Sequence, residues 1–402
     1  MELEVLLADT PVGVLRRSSD RGDATRFRFH DSYRQLAARP VLGQVYEDYL
    51  DAEWGATQRL PPFFSNLLPE GPMREHLAVQ LGIHPDRELY LLVHLGRDLP
   101  GAVLVRPLTR FDADDPPPAR SNVAANARLR FSLAGVQLKF SMLRDGDRLT
   151  LPMDGMGGQW IVKLPDQTYP RVPETEFATM SWARAADIEV PECLLVRASQ
   201  LDGIPAEFLR GPETQCYAIR RFDRRDSGER VHMEDFAQVF GIYADRKYDS
   251  KNFESIANVL YRLGGEPELR ACVRRLVFMV LSGNGDAHHK NWSLLYPDGV
   301  RPRLSPAYDL LTTVPYLGDN EQLALKFGGS KEFSAVGLTT FERMARKLGV
   351  DPTAMSAWVT EDVQRCLDTW SNNHWPFPDP IRAGLVAHLD RLRRTPGSLA
   401  RL

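Results

Sequence analysis

Three consecutive prolines, Pro116-Pro117-Pro118, constrain this chain more than any other feature. Proline fixes φ and carries no backbone N–H, so such a run continues neither a helix nor a central strand. It closes an acidic stretch, Asp112-Ala113-Asp114-Asp115, and the two together predict a domain boundary. At 402 residues, two or three domains are expected. Residues 1–108 alternate like short strands at Leu3, Val5, Leu7, then Val12-Gly13-Val14-Leu15, then Phe27 and Phe29. Helices are predicted there around Met73–Leu81 and Arg87–Leu95.

Past the break the pattern is strand-rich to about residue 222. Phe131–Leu143 and Asp147–Leu151 read as a hairpin around Arg144-Asp145-Gly146. Trp160-Ile161-Val162-Lys163-Leu164 is a short apolar strand that carries a lysine and stops at Pro165; Glu174–Ala186 is helical and Tyr217–Phe222 another strand. After residue 233 helices dominate: Met233–Phe240, Lys251–Leu263, Glu266–Leu281, Phe341–Leu348, Ala354–Ser371 and Pro380–Leu392. The expectation is an α+β chain of three parts: residues 1–108, a β-rich lobe over 122–222, and an all-helical lobe over 223–402.

Composition excludes several classes. A hydrophobic share of 43% with 26% charged residues describes an ordinary globular protein. The net charge of −3 supplies no global basic field for nucleic acid. A local run at Arg391, Arg393 and Arg394 reads as a solvated helix face. Cys193, Cys216, Cys272 and Cys366 show no C-x-x-C spacing, which argues against a zinc site or a disulfide framework. No stretch reaches the length of a membrane-spanning helix, and Met1-Glu2-Leu3-Glu4 lacks the basic start of a signal peptide. The cytoplasm is the expected location.

The chemistry concentrates in Gly283-Asn284-Gly285-Asp286-Ala287-His288-His289-Lys290-Asn291-Trp292. Asp286 five residues before Asn291 has the spacing of a protein-kinase catalytic loop, where the Asp accepts a hydroxyl proton and the Asn holds magnesium. An apolar stretch, a Pro297-Asp298-Gly299 turn and a further acid, Asp309, follow in kinase order. Taken alone the spacing is weak, and Asp286 after a glycine also suits a turn. Upstream, Lys163 lies in an apolar strand, where a lysine is costly unless paired. Glu176, about one helix later, is its natural partner. An exposed strand end is the plainer reading of Lys163, and the order lysine, glutamate, D-x-x-x-x-N, aspartate argues against it. His288 and His289 lack any H-x-x-x-H pattern and read poorly as metal ligands; His288 reads better as a residue that orients the loop. No G-x-G-x-x-G occurs. In its place stands Phe131-Ser132-Leu133-Ala134-Gly135-Val136-Gln137-Leu138-Lys139, whose small residues allow backbone N–H groups to approach phosphates. Taken alone, that segment also reads as a strand bulged at Gly135.

These segments resemble, in one order along essentially the whole chain, the HipA-type serine/threonine kinases, toxin halves of bacterial toxin–antitoxin pairs. The family's S-x-A-G-x-Q-x-K loop stands as Ser132–Lys139, its I-I-K-L-P strand as Ile161–Pro165, and its E-R-F-D-R hinge as Arg220–Arg224. Its L-P-Q-E-D segment stands as Val231–Asp235, its D-[AG]-H-x-K-N loop as Asp286–Asn291, its P-x-Y-D segment as Pro306-Ala307-Tyr308-Asp309, and its P-F-F-x-N-L-L-P string as Pro62–Pro69. The resemblance implies a two-lobed protein-kinase-like fold with an extra N-terminal β-rich part, and two cofactors, ATP and Mg2+. It implies Asp286 as catalytic base and Asn291 and Asp309 as magnesium ligands. The ATP set it implies is Ala134, Gly135, Val136, Gln137, Leu138, Lys139, Lys163, Arg220, Arg221, Phe222, His288, His289, Lys290, Asn291, Tyr308 and Asp309, with Glu176 in support. Ser132 matches the family's self-phosphorylated serine. Arg220 departs from the usual hinge acid, leaving backbone contacts for the adenine, and Leu138 replaces a polar residue.

The implied partners are a helix-turn-helix antitoxin that carries the chain to operator DNA, and a protein substrate such as an aminoacyl-tRNA synthetase. A rival reading is a degraded kinase fold that acts as a corepressor; the presence of Lys163, Asp286, Asn291 and Asp309 speaks against it. A kinase of small molecules is a third, which the Ser132 loop and the N-terminal part disfavour.

Overall fold

The computed structural model describes residues 1–18, 24–108, 138–151, 158–166, 168–209, 211–318 and 321–402. The proline break, the 122–137 stretch of the expected β-rich lobe, and with it Ser132, Ala134, Gly135, Val136 and Gln137, lie outside the described residues.

The first part is built on β1 (Glu2–Leu7), β2 (Thr10–Ser18), β3 (Ala24–Phe29), β4 (Trp54–Thr57) and β5 (Val103–Pro107), an antiparallel sheet in the order β4-β3-β2-β1-β5. The alternation in the sequence becomes two faces: Leu3, Val5 and Leu7 are buried on one side. Against them pack α1 (Asp31–Arg34), α2 (Pro62–Ser65), α3 (Gly71–Leu81) and α4 (Glu88–Leu95). Phe27, Phe29, Tyr46, Phe63 and Phe64 form an aromatic cluster, with Phe27 and Phe64 edge-to-face at 4.8 Å. Gly82, left-handed at φ 65°, stops α3.

The second part holds β6 (Lys139–Asp145), β7 (Arg148–Thr150), β8 (Trp160–Lys163), β9 (Cys193–Arg197), β10 (Leu201–Asp202) and β11 (Gln215–Arg220), in the order β10-β7-β6-β8-β11-β9. Period 2 along β8 sends Trp160 and Val162 into a small core with Met142, Leu149 and Cys216. It sends Lys163 to the other face, towards α5 (Val172–Ala185).

The remainder folds around one large core. α6 (Phe236–Val239), α7 (Phe253–Leu281), α8 (Val314–Leu317), α9 (Leu338–Leu348), α10 (Pro352–Asn372) and α11 (Asp379–Arg394) contribute to it. Trp182 of α5 stacks its edge on Phe278 of α7 at 4.8 Å, both wholly buried. The two helices expected at Lys251–Leu263 and Glu266–Leu281 run on as α7, broken at Gly265 (φ 73°, ψ −157°) two residues before Pro267. Proline's missing N–H and its ring account for the break.

This lobe is not all helical. β12 (His232–Asp235), β13 (Ser293–Tyr296) and β14 (Arg303–Leu304) form an antiparallel sheet in that order. The helix expected over Met233–Phe240 is therefore a strand through Asp235, then the single turn of α6. Met233 and Glu234 pair with Leu295 and Leu294, and the Asp235 carboxylate accepts from Gln238 N–H at 2.9 Å, starting α6 from outside. A partner strand distant in sequence overrode local helix preference.

The first part docks on this sheet. Gln44 N–H donates to Glu234 at 3.0 Å, and His232 Nε2 meets the Leu42 carbonyl at 2.8 Å. Asn66 Nδ2 donates to the Ile242 carbonyl at 2.7 Å and Gln238 Nε2 to that of Phe63 at 3.0 Å. Gly101 is required where it stands: φ is 68°, and a Cβ there would lie 2.7 Å from the Met233 backbone nitrogen.

Candidate functional site

Three elements converge on one ammonium group. Lys163 closes β8; its Nζ donates to Glu176 of α5 at 2.7 and 2.9 Å and also to Asp309, from the stretch after β14. Lys163 and Glu176 are buried, while the Asp309 side chain keeps 38% exposure. Burial works against the Lys163 charge, but Asp309 and Glu176 overcome it and hold the lysine protonated. At Asp309 burial again opposes ionisation, and the charges of Lys163 and Lys139 hold the carboxyl well below its usual range. Asp309 has left-handed backbone, φ 58°. Aspartate tolerates that region better than most residues.

Lys139 opens β6 directly across from Lys163, as a cross-strand neighbour. It is exposed and has no ion pair among the described residues. Two lysines side by side repel each other, so the pair favours an anion between or above them. Leu138 accepts Leu164 N–H at its carbonyl and packs its side chain on the small core, which suits an apolar residue there.

The Asp286–Asn291 segment forms the opposite wall. Its ladder is short: His288 N–H donates to the Asp286 carbonyl at 2.8 Å and Asn291 N–H to that of His288 at 2.9 Å. Asn291 Nδ2 donates to the Asp286 carbonyl at 2.8 Å, which ties the asparagine to the aspartate. The Asp286 side chain is open to the cleft, and its Oδ1 accepts the Tyr248 hydroxyl at 2.6 Å. The surrounding protein dehydrates the carboxyl and, with the nearby Asp309 charge, pushes it up to about 6 against that hydrogen bond. His288 is buried with Nδ1 unpartnered; burial, aided by Lys247, lowers its ring to about 3, so it is neutral. Tyr308 donates to the Lys290 carbonyl at 2.8 Å and meets Ser293 Oγ at 2.6 Å, bracing the loop from behind.

Several expected contacts fall elsewhere. His289 turns into the interior, wholly buried, with Nδ1 on the Lys247 carbonyl at 2.6 Å and its ring against Phe240. It does not reach the cleft, because adjacent residues of a tight turn point different ways. Lys290 turns away as well, with Nζ on the Asn66 carbonyl at 3.0 Å and on Glu70 at 2.9 Å. At the hinge, the Arg220 N–H donates to the Glu192 carbonyl and the Arg221 N–H to that of Gln159, each at 2.8 Å. Neither amide is free for an adenine. Arg220 pairs with Asp226, and Arg221 is buried against Asp223, Asp98 and Ser141. Phe222 alone of the three turns an aromatic face inward, 5.5 Å from the Tyr308 ring. Residues that the sequence did not single out, Glu70, Lys247 and Tyr248, sit at the loop; nothing in their local pattern marks them.

Magnesium fits this chemistry. Asp309 and Asn291 offer hard oxygens, and Asp309 Oδ2 and Asn291 Oδ1 have no partner among the described residues. Among those residues no cluster of three or more His, Cys, Asp or Glu side chains could hold a metal. A magnesium ion here would complete its shell with phosphate oxygens and water.

A β-rich sheet lobe, a helix-rich lobe and a lysine–glutamate pair at their junction define a kinase-like α+β fold. The chain belongs to the HipA family. Residues 3–106 match the model of the HipA N-terminal domain, and residues 131–370 that of the HipA-like C-terminal domain. It is 44% identical over 380 residues to Y4dM of Sinorhizobium fredii, described only provisionally as a kinase, covering 92% of this chain and 91% of that one. It is 26% identical over 309 residues to the serine/threonine-protein kinase toxin HipA of Shewanella oneidensis, covering 67% of each. The solved complex of Shewanella oneidensis HipA, HipB and operator DNA has the same fold at a TM-score of 0.77 and 20% identity, over 99% of this chain and 98% of that one. No helix among the described residues is long and apolar enough to cross a membrane.

Proposed function

We propose that this chain is an ATP- and magnesium-dependent serine/threonine protein kinase, and the toxin of a toxin–antitoxin pair. The meeting of Lys163, Glu176 and Asp309 beside Asp286 is the observation that carries this reading. Phosphoryl transfer asks a protein for positioning and charge neutralisation rather than covalent chemistry. Lys163 and Lys139 bind the phosphates. Phe222 faces the adenine. Asn291 and Asp309 would hold magnesium, which would neutralise charge on the phosphates. Asp286, ionised above about pH 6, takes the proton of the acceptor hydroxyl. His288, neutral, packs beside Tyr248 at 5.0 Å and keeps the loop's shape without adding charge.

Ser132, outside the described residues, is the proposed site of self-phosphorylation. A phosphate there adds roughly −1.5 to −2 charges at neutral pH and repels the ATP phosphates. We read the three parts at 1–108, 122–222 and 223–402 as an amino-terminal domain and two kinase lobes, working in the cytoplasm. The antitoxin, a helix-turn-helix protein as the family resemblance implies, brings the chain to operator DNA, as the Shewanella complex of HipA, HipB and operator DNA suggests. The substrate class is a component of translation such as an aminoacyl-tRNA synthetase.

The test is phosphotransfer from labelled ATP with magnesium, wild type beside Asp286→Asn, followed by phosphosite mapping in expressing cells. A general base contributes about 10²- to 10⁴-fold, so the variant should fall by that factor while binding ATP normally. Equal activity in the two proteins removes Asp286 from the mechanism. Absence of transfer in both favours the corepressor instead.

A further inference from the structure

The Asp286–Asn291 loop is held from outside its own lobe. Glu70 ends the connection between α2 and α3, in the amino-terminal domain. It is the residue before α3, yet its carboxylate makes no hydrogen bond to that helix. It reaches instead to two lysines. Lys290, inside the loop, meets one oxygen at 2.9 Å, and Lys247 meets the other at 3.0 Å. All three side chains are largely shielded, with 23%, 14% and 17% exposure for Glu70, Lys290 and Lys247. Burial alone would raise the Glu70 carboxyl, but the Lys290 and Lys247 charges hold it down at about 2. Asn66, on the same connection, adds its carbonyl to Lys290 at 3.0 Å and its side-chain oxygen at 3.2 Å.

Lys247 passes this grip to the loop in two ways. Its carbonyl accepts His289 Nδ1 at 2.6 Å and the His289 N–H at 3.3 Å. Its neighbour Tyr248 donates to Asp286 Oδ1 at 2.6 Å. One carboxylate therefore fixes the loop at Lys290 directly and, through 247–248, at His289 and Asp286. Asp235 stands 3.7 Å from Lys290 and can balance part of that charge, but it does not touch Lys247.

We propose that Glu70 is a positioning residue of the Asp286–Asn291 loop, through which the amino-terminal domain sets the geometry of the catalytic base. Glu70 touches neither nucleotide nor acceptor; it acts through Lys290 and Lys247. A domain outside the two lobes then completes the kinase centre. The rate arm of the test rests on the kinase reading; the exchange arm does not.

Three variants are compared in the full chain. Glu70→Gln keeps the shape and removes the charge. Lys247→Met breaks one of the two contacts from the other side. Asp245→Asn is the control: it breaks the exposed Arg59–Asp245 pair, 3.2 Å, across the same interface without touching the loop. Amide exchange over residues 286–291 should speed up in Glu70→Gln and not in Asp245→Asn. The rate of phosphotransfer should fall roughly 10- to 100-fold in Glu70→Gln, as for a displaced catalytic group, with ATP affinity within about twofold. Glu70→Gln combined with Lys247→Met should lose less than the product of the single losses, because the two share a contact. Unchanged loop exchange in Glu70→Gln, or equal loosening in Asp245→Asn, overturns the proposal. Should the wild type transfer no phosphate while its loop still loosens in Glu70→Gln, the kinase reading falls and the positioning role stands.

Discussion

The two walls of the cleft are held by different forces. The sheet wall depends on charge: Lys163 sits between Glu176 and Asp309, with Lys139 alongside. The loop wall depends mostly on hydrogen bonds to backbone, including Tyr308 on the Lys290 carbonyl and His289 on that of Lys247, and its ion pairs, Lys290 and Lys247 on Glu70, come from the amino-terminal domain. An anion beside Lys163 would compete with Glu176 and Asp309 for its charge. Asp309 shows this most directly. It pairs with Lys163, the cation proposed to bind the phosphates.

The largest expected effect strikes the sheet wall. Lys163→Met strands Glu176, which is 1% exposed, in a low-dielectric site. Breaking one side of a buried pair costs about 3–5 kcal/mol, so the variant should lose stability as well as ATP binding. A denaturant titration measures this; an unchanged midpoint would mean that Glu176 takes up a proton at little cost and that charge does not hold this wall.

Next comes pH. The Asp286 carboxyl is pushed up to about 6, first by burial, and must be ionised to act as the proposed base. Phosphotransfer should therefore be constant above about pH 7 and fall about tenfold per unit below about pH 6. The sign follows from a raised carboxyl: the proton binds more tightly than usual, so the active form disappears at higher pH than for an ordinary aspartate. A profile flat down to pH 5 separates Asp286 from the rate.

The smallest effect belongs to Tyr248→Phe. Removing one partly exposed hydrogen bond is worth about 1 kcal/mol, so kcat should change by no more than about fivefold, with the acid limb moved to higher pH because that bond favours the carboxylate. A loss as great as that of Asp286→Asn would promote Tyr248 from brace to participant.

What the sequence revealed and what it hid follow the same division. The Lys163–Glu176 contact was legible because a lysine in an apolar strand needs a partner, and the helix that follows the strand supplies it. The hairpin after Asn291 and the break at Gly265-Glu266-Pro267 were legible because proline and glycine act locally. The strand His232–Asp235 was hidden, since its partner Tyr296 lies 62 positions beyond Glu234. Glu70 was hidden for the same reason, 177 positions before Lys247. The hinge differs again. The likeness of Arg220–Arg224 to a family motif names residues but not the direction of their N–H groups, which the flanking Gln159 and Glu192 carbonyls take. Loop bracing consists of long-range pairs between ordinary polar residues, and neither period nor motif carries such information.

Two family models describe this chain as two parts, but Arg221 and Arg224 make it hard to divide. Arg221 meets Asp98 at 3.1 Å and Asp223 at 2.8 Å; Arg224 meets Asp98 at 3.2 Å, Asp223 at 2.8 Å and the carbonyls of Leu99 and Gly101 at 3.0 and 2.9 Å. Both guanidinium groups are almost fully enclosed, at 7% and 4% exposure. A chain cut after residue 108 would leave Arg224 without three of its acceptors and open the face on which residues 42–70 now lie. The amino-terminal piece and the hinge it closes are therefore one structural unit: removing the first leaves buried guanidinium groups at the second without some of their acceptors.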